Sequence, residues 1–344
     1  MKNLFLVNSS INLLSTFVLA NSKFKDDENY LALVHPHGYD RWHEDAIMSF
    51  MFSKEAGFEK VFPLIDKSFG KHLDYVKKEI CPIKYDNVFV GNDSGVQNQL
   101  LLSALKVSKF YRLDDGLGSY YMAADKRSAS KIFFHKMQIK ILTTFMGINS
   151  DLPINAVGMG HSKAALGDYL LRPELLARYS PSALEITEEM IASALKKLKD
   201  HNLLKQELFD RNYIVYLSEP VTEIPKFNFS FDDEIIILKE LLTNLDKDTR
   251  LIYKPHPNDN PHKLVYIKKN FPEIIINESR VPVEFILYKE PQIKSIISFF
   301  CSALVFAPKI AGRPLDCVSL AKRGNFTVDP KYLEMMEKSH VKFI

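Results

Sequence analysis

Short apolar runs alternate with longer amphipathic runs along most of this chain, and that alternation restricts the fold more than any other feature. In the first half, the stretches typical of strands that end in polar loops are "YLALVHPHG", "VFPLID", "NVFVGND" and "KFYRLDDG". The stretch "SGVQNQLLLSALKV" is typical of a helix between two of them. This order predicts a parallel α/β sheet. Ligands of such sheets bind outside the carboxyl ends of the strands, so the polar loops are candidate site positions.

The same pattern starts again in the second half, where "NYIVYLSEP" and "TRLIYKPHPND" predict strands and "EIIILKELLTNL" predicts a helix. The charged segment from about 154 to 210 is predicted to be helical, with Thr187 capping a helix and 158–170 forming a loop and a helix. A chain of 344 residues is long for one hydrophobic core. We therefore predict two Rossmann-like domains, 1–205 and 206–344, with a cleft between them.

Charge and cysteine content exclude several classes of protein. The 45 Lys and Arg against 42 Asp and Glu give a net charge of +3, and this mild excess does not predict nucleic-acid binding, which needs a concentrated basic patch. The three cysteines, Cys81, Cys301 and Cys317, lack the spacing of a disulfide framework or a zinc site. Such sparse cysteines favour a reducing compartment, and we predict a cytoplasmic protein.

Polar residues interrupt the apolar N-terminal segment at Asn8, Ser9, Ser10 and Asn12. The pattern predicts a strand over Leu4–Val7 and a helix that begins after Ser9 or Ser10, either of which is a good N-cap residue. A signal peptide is the alternative interpretation. No other segment approaches the roughly 20 apolar residues that a transmembrane helix requires.

Two adjacent acids, Asp114 and Asp115, follow an apolar run in "KFYRLDDGLGSY". Asp and Gly are common in turns, so a polar turn is the ordinary explanation. The functional explanation is a carboxylate that faces a ligand site. Paired carboxylates can raise the pKa of one member toward the range of a general base.

Two stretches in the second half carry groups suited to binding a phosphate. In "YKPHP", two prolines stiffen the loop around His256, which could donate a hydrogen bond to a departing phosphate, and Lys254 adds positive charge. In "SIISFFCSAL", Ser298 and Ser302 lie at a strand end and at a helix start, where free backbone N–H groups bind anions. A structural histidine and an ordinary helix cap are the alternatives.

Together, "LDDGLGSY", "YKPHP" and "SFFCSAL" resemble the three signatures of bacterial sialyltransferases, in particular the lipooligosaccharide sialyltransferases and capsular polysialyltransferases. The resemblance implies a GT-B fold, the donor CMP-Neu5Ac, inversion at the anomeric carbon, and neither a metal nor a cofactor. It makes Asp115 the general base, with Asp114 the weaker candidate, and lets His256 assist the departure of CMP. It assigns donor binding to Ser302, Ser298, Glu284, Ser218, Glu219 and Lys254. One departure is Cys301, because a thiol replaces a hydroxyl of the Ser-Ser signature and is a weak donor.

The expected acceptor is a terminal galactose of a lipooligosaccharide-type glycan, with His35 and Asn92 on the acceptor side. The alternatives are a capsular polysialyltransferase and a transferase of another CMP-linked acidic sugar such as Kdo. Peripheral association with the inner membrane and a homodimer are further expectations, while linkage and processivity stay open. A more distant alternative is a metal-dependent hydrolase that would use His35, His37 and His43 as ligands.

Overall fold

The computed structural model describes residues 1–34, 46–64, 69–121, 127–149, 152–176, 182–200, 211–224, 227–256, 258–279, 282–324, 326 and 328–344. The chain divides into two compact units, Met1–Lys197 and Leu198–Ile344. Each unit is built around one parallel sheet.

In the described part of the first unit, seven strands pair in the order β3-β2-β1-β4-β5-β6-β7, and every pairing is parallel. The strands are β1 (Lys2–Val7), β2 (Glu28–Val34), β3 (Lys60–Leu64), β4 (Asn87–Val90), β5 (Phe110–Leu113), β6 (Ala165–Leu170) and β7 (Ala183–Glu185). The α-helices are α1 (Ser10–Ala20), α2 (Ala46–Met51), α3 (Phe69–Tyr75), α4 (Val96–Ala104), α5 (Gly118–Tyr121), α6 (Ala129–Phe145) and α7 (Glu188–Asp200).

The N-terminal segment forms the centre of this sheet. Five of the six residues of β1 are buried, as expected of a strand covered on both faces. Phe5 of β1 stacks on Phe89 of β4 with ring centroids 4.5 Å apart. The Ser9 hydroxyl accepts a hydrogen bond from the Asn12 N–H and caps α1. The predicted strand and capped helix are therefore confirmed.

In the described part of the second unit, six strands pair in parallel in the order β10-β9-β8-β11-β12-β13. The strands are β8 (Asn212–Leu217), β9 (Thr249–Lys254), β10 (Ile275–Ile276), β11 (Ile293–Ser298), β12 (Asp316–Ser319) and β13 (Lys342–Phe343). The helices are α8 (Phe231–Thr243), α9 (Pro261–Asn270), α10 (Val283–Lys289), α11 (Ala303–Ala311) and α12 (Pro330–Lys338). In the first sheet the strand order reverses between β1 and β4, and in the second sheet between β8 and β11. This topology confirms the predicted pair of parallel Rossmann-like domains.

The prediction for the middle of the chain was wrong in part. Thr187 caps α7 as expected, since its hydroxyl accepts a hydrogen bond from the Met190 N–H at 3.4 Å. The segment predicted as loop and helix, however, contains the strand β6, which pairs with β5 and β7. Its sequence "ALGDYL" lacks an apolar run because Gly167 and Asp168 interrupt it, and Asp168 forms an ion pair with Arg112 of β5.

Candidate active site

The loops that follow β1, β4 and β5 form a cavity at the carboxyl edge of the first sheet. The cavity has a volume of about 430 Å³ and is lined by Asn8, Ser9, Asn92, Gly95, Val96, Gln97, Asn98 and Asp115. β1 and β4 are neighbours in the sheet although β2 and β3 lie between them in sequence. The cavity therefore lies where the strand order reverses, which is where open α/β sheets bind ligands.

Asp114 directly follows β5 and is fully buried. Its carboxylate accepts hydrogen bonds from the Gly116 N–H at 2.9 Å, from the Leu171 N–H at 2.9 Å and from the Tyr120 hydroxyl. Burial raises the pKa of Asp114 to about 7, although these hydrogen bonds favour the charged form. These hydrogen bonds tie the Asp114 carboxylate to the turn after β5 and to Leu171 after β6, so Asp114 holds the loop in place.

Asp115 differs from its neighbour because its side chain lines the cavity. The Ser9 hydroxyl donates a hydrogen bond to Asp115 Oδ1 at 2.9 Å. Burial raises the pKa of Asp115 to about 6, and the side chains of Ser9 and Asn12 oppose that rise. A half-buried carboxylate with this pKa is ionised at neutral pH and still basic enough to accept a proton.

The turn after β5 separates the two carboxylates. Gly116 adopts a left-handed conformation with φ of 75°, which glycine takes at little steric cost. The Asp115 N–H donates a hydrogen bond to the Ser119 hydroxyl at 2.7 Å, and α5 begins at Gly118. The turn fixes one carboxylate inside the protein and leaves the other at the cavity.

Asn12 supports the loop after β5, although in the sequence it stands out only as one of the polar residues that interrupt an apolar run. It is fully buried in α1, and its side-chain amide donates a hydrogen bond to the Asp114 carbonyl. A Cβ atom at Gly91 would lie 2.4 Å from Asn12 Oδ1, so a glycine after β4 leaves the space for this side chain. Its burial could not be predicted from the sequence, because α1 also contains the polar residues Ser15 and Thr16.

Of the two predicted acceptor residues, Asn92 is among the described residues and His35 is not. Asn92 lines the cavity, and its side-chain oxygen accepts hydrogen bonds from the Ser94 N–H and hydroxyl at 3.0 and 3.1 Å. His35 lies outside the described residues, as do His37 and His43 of the alternative metal site. Within the described residues, no group of three His, Cys, Asp or Glu side chains is arranged to hold a metal ion.

In the second unit, three of the six residues predicted to bind the donor lie together at the carboxyl edge of β8 and β11: Ser218, Glu219 and Ser298. Glu219 accepts a hydrogen bond from the Phe300 N–H at 2.6 Å, and the Ser298 hydroxyl lies 2.8 Å from its Oε2. The Tyr253 hydroxyl donates to Ser218 Oγ at 2.8 Å. Burial raises the pKa of Glu219, while hydrogen bonds from the loop after β11 favour its charged form. Glu219 thus joins the loop after β8 to the loop after β11.

His256 follows β9, and its ring is oriented by its own loop. The Asn258 N–H donates a hydrogen bond to His256 Nδ1 at 3.1 Å, so the proton of the neutral imidazole is on Nε2. The His256 N–H donates to Asp259 Oδ2 at 2.8 Å. Burial lowers the pKa of His256 and favours the neutral ring. The neutral imidazole can therefore donate a hydrogen bond through Nε2.

A buried ion cluster supports this loop. Lys263 Nζ lies 2.9 Å from Glu234 Oε2 and 3.1 Å from Asp259 Oδ1, and all three charged groups are nearly inaccessible to solvent. The Tyr216 hydroxyl donates a hydrogen bond to Glu234 Oε1 at 3.0 Å. Burial lowers the pKa of Lys263, but the neighbouring carboxylates outweigh it and raise the value. No motif in the sequence predicted this cluster.

The remaining predicted donor residues lie on nearby elements of the same unit. Lys254 Nζ donates a hydrogen bond to the Ser279 carbonyl at 2.8 Å. Glu284 is buried in the first turn of α10, and burial raises its pKa while Lys254 favours its charged form. Ser302 precedes α11 without capping it through its side chain. Burial raises the pKa of the Cys301 thiol, which keeps it neutral.

The fold has counterparts among solved structures. A UDP-GlcNAc 2-epimerase from Methanocaldococcus jannaschii, bound to UDP-GlcNAc and UDP, superposes with a TM-score of 0.55 at 14% identity, covering 100% of this chain and 89% of that one. A UDP-GlcNAc 2-epimerase from Neisseria meningitidis gives 0.54 at 11% identity, covering 99% and 87%. These likenesses show the fold alone, and they confirm the predicted GT-B class.

The sequence comparisons identify the family. No curated protein matches the chain in sequence. The family described as Alpha-2,8-polysialyltransferase (POLYST) matches residues 3–315, which is most of the chain and includes every motif discussed above. The family confirms the resemblance to bacterial sialyltransferases and the prediction of a glycosyltransferase. The chain belongs to the alpha-2,8-polysialyltransferase family.

Proposed function

We propose that this glycosyltransferase moves sialic acid from CMP-Neu5Ac onto the terminal residue of an α-2,8-linked sialic acid chain, with inversion and without a metal ion. The proposal rests on the different environments of two adjacent acids. Asp115 lines the cavity, while Asp114 accepts hydrogen bonds from backbone N–H groups. Membership of the family supports the reaction class.

In the acceptor half of the proposed reaction, Asp115 is the general base. The hydroxyl oxygen of the acceptor forms a bond to the anomeric carbon of the donor sugar, and its proton moves to the Asp115 carboxylate. Ser9 and Asn12 orient that carboxylate. Asn92 is proposed to contact the acceptor, because it lines the same cavity.

In the donor half, the bond between the anomeric carbon and the phosphate oxygen of CMP breaks, and the leaving group takes the electron pair. His256 donates a hydrogen bond from Nε2 to that phosphate, consistent with the hydrogen bond that Nδ1 already accepts. The Ser302 hydroxyl and the first N–H groups of α11 supply further donors. Such donors stabilise the charge that develops on the phosphate.

The choice between the two predicted acceptors is tested with purified protein, CMP-Neu5Ac and two fluorescent acceptors, an α-2,8-linked oligosialic acid and lactose. We expect a ladder of extended products from the oligosialic acid. Addition of a single residue to lactose alone would instead favour the galactose acceptor expected from the sequence. Transfer to neither acceptor would contradict the proposed function. The anomeric configuration of the product, read by NMR, tests inversion.

The activity is expected to fall as the pH is lowered through about 6, because a protonated Asp115 cannot accept a proton. Above that pKa the carboxylate is ionised, so this limb of the profile flattens. The measurement is kcat/KM as a function of pH on the oligosialic acid acceptor. The Asp115→Asn variant is the control, since its residual activity should lack this limb. A wild-type profile that stays flat across pH 6 would remove Asp115 from the role of base.

We also propose a cytoplasmic protein that associates peripherally with a membrane, where a lipid-linked acceptor would be available. Within the described residues, no helix combines the length and apolar character needed to span a bilayer. The predicted homodimer stays a proposal and can be checked by the mass of the purified chain in solution.

A further inference from the structure

One face of α6 exposes five large apolar side chains. They form what we call the outer stripe, and their exposed fractions range from 41% to 92%: Phe133, Phe134, Met137, Ile141 and Phe145. At about 100° per residue, they all fall on one third of the helix surface. The rings of Phe133 and Phe134 contact each other edge to face, with centroids 5.8 Å apart. An apolar patch of this kind on a folded protein marks an interaction surface.

The outer stripe is not needed for packing of the helix on its own domain. The opposite face of α6 does that: Ile139 is fully buried, and Leu142 and Met146 pack against the core of the first unit. A helix that is apolar on two opposite faces needs a second environment for the face that its own domain leaves exposed.

The Lys residues of α6 border the outer stripe, and α6 has no acidic residue. Lys131 lies along one edge of the stripe, and Lys136 and Lys140 lie along the other, by the same helical spacing. No Asp or Glu occurs between Ala129 and Asn149. Apolar and aromatic side chains bordered by lysines are typical of helices that lie in the interface of a bilayer with anionic lipids.

A second copy of the chain fits this face less well. Two outer stripes in contact would bring lysines of one copy close to those of the other, and no acid of α6 could neutralise them. An anionic bilayer provides an apolar interior for the stripe and negative headgroups for the lysines. We propose that the outer stripe of α6 is the surface by which this protein docks on an anionic phospholipid membrane.

The inner side of α6 connects this surface to the candidate site. His135 Nε2 lies 3.0 Å from the Ser94 carbonyl, and Arg127 donates a hydrogen bond to the Ser94 hydroxyl at 3.3 Å. Ser94 belongs to the loop after β4, whose residues Asn92 and Gly95 line the cavity. The docking surface deepens the proposed membrane association, and it does not depend on the identity of the sugar that is transferred.

The test is co-sedimentation of the full chain with vesicles, without donor or acceptor. The wild type is expected to bind vesicles of phosphatidylcholine and phosphatidylglycerol and to bind pure phosphatidylcholine weakly. A variant with Phe134→Gln, Ile141→Gln and Phe145→Gln should bind the anionic vesicles roughly tenfold or more weakly. A variant with Lys131→Gln, Lys136→Gln and Lys140→Gln should lose the preference for anionic vesicles.

The matched control replaces two exposed apolar residues on other helices, Ile236→Gln on α8 and Val265→Gln on α9, and should bind like the wild type. The proposal is overturned if the wild type does not bind anionic vesicles, or if the stripe variant binds as well as the control. It is also overturned if the stripe variant converts a dimer into monomers, because the face is then covered by a second copy.

Sialyl transfer to a soluble acceptor is measured on the same variants and should not change, since the stripe is outside the cavity. Failure of transfer in every protein, with vesicle binding intact, would contradict the proposed function alone. Failure of vesicle binding, with transfer intact, would contradict the docking surface alone. The two proposals can therefore fail separately.

Discussion

Replacing Asp115 by Asn is expected to lower kcat by roughly 10²–10⁴, the contribution that a positioned general base typically makes. The amide has nearly the same shape as the carboxylate, and its oxygen can still accept the hydrogen bond that Ser9 donates at 2.9 Å. It cannot take up a proton at the pH of the reaction. The loss should therefore appear in turnover, with affinity for CMP-Neu5Ac and the melting temperature close to those of the wild type.

Asp114→Asn is the matched control, because it makes the same change one residue earlier. Asp114 accepts hydrogen bonds from Gly116 and Leu171 N–H groups and from the Tyr120 hydroxyl. An amide there would point its NH₂ group at one of these donors. We expect a loss of stability of about 1–3 kcal/mol, the usual cost of a buried unsatisfied polar group.

Turnover and unfolding are measured on both variants. The assignment of roles fails if Asp115→Asn keeps wild-type turnover, or if its activity is lost only because the protein unfolds. The assignment also fails if Asp114→Asn lowers turnover more than Asp115→Asn in a protein that is equally stable. The pair of variants thus separates a chemical role from a structural one.

Replacing Lys263 by Met is expected to lower the free energy of unfolding by about 3–5 kcal/mol, the usual cost of removing one partner from a buried ion pair. The ammonium lies 2.9 Å from Glu234 and 3.1 Å from Asp259, so its loss leaves two buried carboxylates without a counter-charge. Asp259 also accepts the His256 N–H, so the loop that carries this imidazole should loosen as well. Urea-induced unfolding of the full chain measures the change.

Lys268→Met is the control on the same helix. Lys268 pairs with Glu278 at the surface, where both side chains are about half exposed, and surface pairs contribute about 0–1 kcal/mol. A Lys263→Met variant as stable as Lys268→Met would contradict the structural role of the buried cluster. Partial recovery of stability on adding Glu234→Gln would support it, since that change removes one unpaired charge.

Local sequence signals were enough to predict the fold and the loops that carry the candidate residues. The apolar runs of β1, β4 and β5 end at polar residues, and parallel strands bring those ends to one edge. Asp115 could be placed there because it is the second residue after β5. His256 could be placed after β9 for the same reason, with the prolines of "KPHP" marking a stiff loop.

The rest depends on contacts between residues far apart in sequence. Asn12 supports the Asp114 loop, which is more than one hundred positions away, and Lys263 meets Glu234 across two helices. No local pattern marks such partners, because asparagine and lysine are expected to be exposed unless their neighbours in the fold are known. The strand β6 was missed for a similar reason, since the partner of its buried Asp168 is Arg112 of β5, more than fifty positions earlier.

The most direct test of the central claim is release of CMP from CMP-Neu5Ac in the presence of EDTA, with and without an oligosialic acid acceptor. A metal-independent sialyltransferase predicts release that the acceptor stimulates strongly and that Asp115→Asn reduces by orders of magnitude. No release in EDTA, together with activity restored by Zn²⁺ or Mn²⁺ on another substrate, would contradict the account and favour the histidines near His35 as the functional centre.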